Sequence, residues 1–280
     1  MELKDLAVKM AEIYKCNPKV DTIWLGGSVS RGWEDRYSDI ELFLCWSEEP
    51  SDEDRLLPIQ EVKGEIIDFH DYEDEEWSET YHAHGVKMEL SHFLTRTVDS
   101  VIGDVIYRLS TDLEKQCLAA AVFNGKCLAG EDTFQRLIEK TAVYPESLKL
   151  AMITENLKLG SRWRNRDALV ERQDWLLLHQ IFVTVQRNVM SVLFALNETY
   201  VHHPGFKWQR QSLGEMNRKP ALAAERMENV FLKDPKQGLV ILEELLKDVY
   251  QLVKDECPAL SIDPLIQANQ SFTAKKTGKS

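Results

Sequence analysis

Leu25-Gly26-Gly27-Ser28-Val29-Ser30-Arg31-Gly32, followed after a short polar bend by Tyr37-Ser38-Asp39-Ile40-Glu41-Leu42-Phe43-Leu44-Cys45-Trp46, is the stretch that decides how this chain is read. Two glycines after the apolar run Ile23, Trp24, Leu25 allow a turn that side chains would obstruct, and allow an anion to approach main-chain amides. Ser28 then opens a short helix, whose first N–H groups and the serine hydroxyl are donors for a phosphate. Past the bend, Asp39 and Glu41 stand two apart in a run of strand-forming residues, so both project from one face while Ile40 and Leu42 take the other. Two carboxylates beside a phosphate turn suit Mg²⁺, which prefers one or two carboxylates completed by phosphate oxygens and water.

Gly-Ser, an Arg-Gly shortly after it, and Ser-Asp-x-acid-Leu on the next strand resemble the nucleotidyltransferase superfamily typified by DNA polymerase beta, and within it the small aminoglycoside and lincosamide nucleotidyltransferases. The matched motif spans roughly twenty residues, with Glu41 where Asp is more usual. The resemblance implies an α+β fold, a polymerase-beta-like mixed sheet with flanking helices followed by a C-terminal helical bundle. It implies that Gly26, Gly27, Ser28 and Ser38 hold a nucleotide triphosphate and that Asp39 and Glu41 hold one or two Mg²⁺ ions. Arg31 reaches either a phosphate or an acid of the bend such as Glu34 or Asp35.

The remaining composition is compatible with such an enzyme. The 280 residues are 44% hydrophobic and 29% charged, an ordinary globular balance, and 46 acids against 34 Lys and Arg leave a net charge of -12. That charge disfavours a nucleic-acid backbone as partner and favours a cationic small molecule. Five cysteines, Cys16, Cys45, Cys117, Cys127 and Cys257, show no zinc-type spacing and read as scattered thiols of a cytosolic protein. The charged N-terminal segment and the absence of a long apolar run predict neither a signal peptide nor a membrane span.

Along the chain, apolar periodicity predicts a helix over 3–14 and a strand over 22–25, with a helix near 28–33. Residues 48–55 read as a loop, 59–62 and 65–69 as outer strands around Gly64, and the acidic run 71–79 as a solvated connection or short helix. Residues 85–93 read as a strand with Lys87, Glu89 and Ser91 on one face and Val86, Met88 and Leu90 on the other. From Thr97 onward the pattern is helical, with single helices over 145–164 and 171–200. The expected organisation is a nucleotidyltransferase domain over 1–105, a helical domain over 106–270 and a flexible tail over 271–280.

Nucleotidyl transfer needs a third carboxylate, as metal ligand or as base for the attacking hydroxyl, on a strand beside the first two. Glu89 and Asp68 both qualify; the resemblance points to Glu89 as catalytic base or third ligand. The stretch from Leu193 to Trp208 resembles the C-terminal domain of bacterial nucleotidyltransferase-like proteins of unassigned substrate. There Lys207 is either a phosphate contact reaching from the helical domain or a solvated lysine. Arg162, Arg164, Arg166 and Arg172 with Trp163 and Trp175 are interleaved with Asp167, Glu171 and Asp174, which reads as a salt-bridged surface rather than an RNA groove. The expected activity is Mg-dependent transfer of a nucleoside monophosphate, AMP from ATP, to a hydroxyl of a small acceptor such as an aminoglycoside or lincosamide. Its rivals are a toxin–antitoxin-type enzyme that modifies a protein or RNA, and a catalytically silent nucleotide-binding relative.

Overall fold

The computed structural model describes residues 2–272. Its contacts divide the chain after Tyr144 into two units. The first is mixed α+β and runs α1 (Leu3–Tyr14), β1 (Val20–Leu25), α2 (Gly27–Arg31), β2 (Ile40–Trp46), α3 (Asp52–Glu61), β3 (Glu65–Glu73), β4 (Glu76–Ala83), β5 (Val86–Leu94), α4 (Thr95–Ile106), α5 (Leu113–Phe123), β6 (Lys126–Ala129) and α6 (Glu131–Thr141).

The sheet has six strands in the order β3-β4-β5-β2-β1-β6. All neighbours are antiparallel except β2 and β5, which run parallel with Glu41 across from Glu89 and Leu42 across from Leu90. Strand alternation sends the two halves of β2 into different layers. Ile40, Leu42, Leu44 and Trp46 pack with Leu6, Met10 and Tyr14 of α1, Val29 of α2 and Ile59 of α3. Phe43 and Cys45 face the opposite layer, where Trp24 and Phe93 meet Val98, Ile102, Leu118 and Phe134 of α4 to α6. Trp24 stacks on Phe43 with centroids 5.2 Å apart, and Phe43 on Phe93 at 6.5 Å. This aromatic row ends the helix-covered part of that face, and Glu41 and Asp39 lie beyond it along β2.

Under the α1 layer lies a fully buried charged group. Glu79 of β4 accepts from Arg55 Nε at 3.1 Å and contacts His92 Nε2 at 2.6 Å, and neither Arg55 nor Glu79 has side-chain exposure. The Trp46 indole N–H donates to His92 Nδ1 at 3.0 Å, so Nδ1 is an acceptor and Nε2–H donates to Glu79. Arg55 also donates to the carbonyls of His70 and Ser78, which ties α3 to the β3–β4 hairpin.

Several expectations are corrected. The domain boundary stands after Tyr144 rather than after residue 105, because β6 pairs with β1 and Thr22 Oγ1 donates to the Ala129 carbonyl at 2.8 Å. The acidic run 71–79 is the end of β3, the hairpin turn and the start of β4, and Glu79 is among the most buried residues. Residues 59–62 are not a strand: a Ser51–Asp54 capping box starts α3, which continues through Pro58 to Glu61. Strand β3 is the sheet edge and is exposed almost throughout, carrying Glu65, Asp68, Asp71 and Glu73 with Ile66 and Ile67 and a register shift between Ile66 and Asp68.

The second unit is helical: α7 (Glu146–Asn156), α8 (Gly160–Arg164), α9 (Arg166–Arg172), α10 (Trp175–Leu196), α11 (Gln209–Glu215), α12 (Ala223–Leu232), α13 (Pro235–Glu256) and α14 (Asp263–Ala268). The helices expected over 145–164 and 171–200 are shorter. The first is interrupted between Asn156 and Gly160, and Gln173, in left-handed backbone, separates α9 from α10. Arg166 is buried and bonds Glu243 at 2.6 Å and the Asn269 carbonyl at 3.3 Å. Arg164 stacks over Phe272 at 3.9 Å, so both arginines serve internal contacts. Of the expected tail, Ser271 and Phe272 are docked, the Phe272 N–H donating to the Arg164 carbonyl at 2.9 Å; 273–280 lie outside the described residues. No described helix is long and apolar enough to cross a membrane.

Removing Glu79 would leave the buried Arg55 with only the exposed Asp52 carboxylate, 3.7 Å away, to offset its charge. Glu79→Ala should cost about 3–5 kcal/mol in a urea unfolding curve, whereas an exposed acid such as Asp71→Ala should change it by less than about 0.5 kcal/mol. Burial pushes the Cys117 thiol up to about 12 and the Cys127 thiol up to about 11, and raises Cys45 and Cys257 as well. With Cys16 exposed, a thiol titration of the native protein at neutral pH should show one fast-reacting group, abolished by Cys16→Ser.

Candidate active site

The site is assembled where β1 ends beside the start of β2. The Gly26 N–H donates to the Glu41 carbonyl at 2.9 Å, which carries the β1–β2 ladder one residue into the turn. A Cβ on Gly26 would stand 2.4 Å from the Phe43 ring. Gly27 has φ +62°, and a Cβ there would meet Oε1 of Glu41 at 2.3 Å. Its missing side chain is therefore the space in which the Glu41 carboxylate lies, and the left-handed backbone favours glycine independently. Helix α2 opens directly from this turn, with Ser28 buried at its start.

The two serines singled out in the sequence are brought together. Ser28 Oγ donates to Ser38 Oγ at 3.2 Å, and Ser38 Oγ accepts from the Asp35 N–H at 2.9 Å. The bend is thereby pinned to the glycine turn, and Asp39 follows at the foot of β2. The Arg31 guanidinium lies over the Trp33 ring at 5.4 Å.

Asp39, Glu41 and Glu89 each present a carboxylate oxygen, all within 4.8 Å of one another. The parallel β2–β5 pairing accounts for this: Glu41 and Glu89 are register partners, and Asp39 is two residues back on the same face. Asp68 stands across from Thr80, which stands across from Glu89. It shares the row but lies two strands further out, roughly 10 Å from Glu89 at the usual strand spacing. Glu89, not Asp68, therefore completes the group. Three carboxylate donors and no sulfur or imidazole match a hard divalent cation such as Mg²⁺ or Mn²⁺.

One residue of the site received no role in the sequence reading. Lys87, two residues before Glu89 on the same face of β5, places its ammonium 2.5 Å from Glu89 Oε1 and 2.9 Å from Asp39 Oδ2. The hydrogen bond to Glu89, then that to Asp39, raises its pKa, so it is cationic at any ordinary pH. The alternation of 85–93 already put Lys87 and Glu89 side by side; the contact with Asp39 needed the register of β2 against β5. Lys207 belongs to the second unit, exposed on the turn before α11.

Residues 111–209 match a family described as a domain of unknown function (DUF4037). That span begins beyond Asp39, Glu41 and Glu89 and runs across the division after Tyr144. The crystal structure of a nucleotidyltransferase-like protein from Exiguobacterium sibiricum 255-15 is similar to this chain at a TM-score of 0.40 and 14% identity, over 90% of this chain and 78% of that one. No curated protein sequence matches.

The Gly27–Glu41 contact can be tested without any ligand. Gly27→Ala should lower the melting temperature through both the contact and the positive φ, the latter alone costing about 1–2 kcal/mol. In a Glu41→Ala background the same substitution should cost less, since only the backbone strain remains. Equal costs in the two backgrounds would show that the carboxylate does not lie against the turn.

Proposed function

We propose that the chain is a Mg²⁺-dependent nucleotidyltransferase that moves a nucleoside monophosphate, AMP from ATP, to a hydroxyl of a small acceptor. The observation that carries the reading is the convergence of Asp39, Glu41 and Glu89 against a turn whose Gly27 leaves room for the Glu41 carboxylate. Three converging carboxylates against the single positive charge of Lys87 leave net negative charge in the group, and all-oxygen donors beside a phosphate turn suit an ion shared with a polyphosphate.

In this reading Asp39 and Glu41 hold the ion while the backbone at Gly27 and the Ser28 and Ser38 hydroxyls hold phosphate oxygens. When bound, the ion neutralises charge developing on the α-phosphate and the departing pyrophosphate. Asp39 is 13% exposed and Glu89 43%, so Glu89 is the acid open to an acceptor. It takes the proton of the acceptor hydroxyl as the new P–O bond forms and the bond to pyrophosphate breaks. The net charge of -12 supports a cationic acceptor of the aminoglycoside class over a nucleic acid, and the motif resemblance adds lincosamides. A second reading has one observation in its favour: Lys87 lies in the carboxylate group and could hold it permanently closed to metal, as in a silent relative.

The test is pyrophosphate release from ATP, with and without Mg²⁺, across a panel of aminoglycosides and lincosamides. Asp39→Ala should abolish turnover with the far-UV spectrum unchanged. Glu89→Gln should keep nucleotide affinity and lose about 10²–10⁴-fold in kcat. Asp68→Asn should leave turnover as it was. If calorimetry with a non-hydrolysable ATP analogue finds no Mg²⁺-dependent binding to the wild-type chain, the reading fails.

A further inference from the structure

The carboxylate group contains a cation of its own. The ion pairs of Asp39 and of Glu89 both come from the Lys87 ammonium, which uses one oxygen of each acid. Its position follows from two separate features. Strand alternation puts Lys87 on the same face as Glu89, and the parallel register of β2 against β5 brings Asp39 beside it. The same register gathers the three acids, so lysine and divalent ion are drawn to the same oxygens by the same piece of backbone.

The two cations make different demands. The ammonium satisfies Asp39 and Glu89 at hydrogen-bonding distances of 2.9 and 2.5 Å. A Mg²⁺ ion binds oxygen at about 2.0–2.1 Å in octahedral geometry, with neighbouring ligands about 3 Å apart, and so draws the carboxylates in around itself. An ammonium lying between Asp39 and Glu89 stands in the way of that contraction and adds a repulsive charge. A lysine side chain is long and flexible enough to leave, and Lys87 is already 38% exposed.

Resting on the reading of these acids as a metal site, we propose that Lys87 is the resident counter-cation of the Asp39–Glu41–Glu89 group and sets its divalent-metal affinity by competing for Asp39 and Glu89. In the absence of metal it holds the acids together against their mutual repulsion; metal loading releases it from both. Lys87 is in this sense a positioning residue, acting through the carboxylates.

The experiment is a Mn²⁺ titration of the full chain, free ion being followed by electron paramagnetic resonance, with no nucleotide present. Lys87→Met should bind Mn²⁺ about tenfold more tightly than wild type, the loss of two partly exposed ion pairs expressed as a ratio. Lys87→Gln should do nearly the same, Lys87→Arg should stay near wild type, and Asp39→Ala in the Lys87→Met background should lose the site. Before metal is added, Lys87→Met should melt at a lower temperature than wild type, and Mn²⁺ should raise its melting temperature by more. Unchanged or weaker affinity in both Lys87→Met and Lys87→Gln, with wild type binding Mn²⁺, overturns the role of Lys87 and leaves the metal reading standing. Binding by Lys87→Met alone supports the competition in its strongest form, the wild-type lysine excluding the ion until a nucleotide brings its own phosphate ligands. No binding by any variant, with circular dichroism unchanged, overturns the role of Lys87, and absence of Mg²⁺-dependent binding of the non-hydrolysable ATP analogue in addition overturns the proposed activity.

Discussion

The parallel pairing of β2 with β5 is the constraint on which the rest depends. It is the single parallel contact in an otherwise antiparallel sheet, and the chain makes it by leaving β2, building α3 and the β3–β4 hairpin outward, and returning along β5. A slip of one residue would turn Leu90 toward the acids and Glu89 into the α1 layer, so the apolar residues of β5 hold the register that the site requires. The buried group beneath the same strands reinforces it from the other face. His92 of β5 accepts from Trp46 of β2 and bonds Glu79 of β4, so three adjacent strands share one hydrogen-bonded chain. Glu79 and Arg55 are buried at a solvation cost, and what they supply is a specific alignment.

The two faces of the sheet thus divide the labour. On the α1 side, alternation fills the layer with Ile40, Leu42, Leu44 and Trp46, and Glu79, His92 and the Trp46 indole bond one another within it. On the other side the aromatic row of Trp24, Phe43 and Phe93 is followed along β2 by acids, with no intervening small residues. The carboxylates therefore sit at the end of a packed apolar surface, supported from one direction and reachable from another. The glycine turn completes the arrangement, since a residue with a side chain at 27 would occupy the volume of the Glu41 carboxylate.

Much of this was legible in the sequence because it is encoded locally. Gly26-Gly27-Ser28 and the alternation of Asp39-Ile40-Glu41-Leu42 need no distant information, and neither does the polar face of Lys87, Glu89 and Ser91. What could not be read depends on partners far along the chain. The acidic run to Glu79 looks solvated until Arg55 and His92 are known to face it, and Lys126–Ala129 is four residues that become a strand only because β1 has a free edge. The boundary after Tyr144 was missed for the same reason. Helix α3 is a different case: its Ser51-to-Asp54 cap is local, but the acidic, polar run 48–55 has the composition of a loop and becomes a helix start only with α3 packed against α1. Choosing Glu89 over Asp68 required strand order, which alternation alone does not contain.

The outer edge of the sheet bears on how the protein behaves at high concentration. Strand β3 leaves a row of backbone donors and acceptors open beside Ile66 and Ile67, a combination that invites a second copy to add its own strand. Glu65, Asp68, Asp71 and Glu73 set like charge against any such copy, and the irregular register near Ile67 breaks the flatness that stacking needs. The sheet is in this way terminated by electrostatics rather than by a covering element, and high salt, which screens those acids, is the condition under which it would be least protected from self-association.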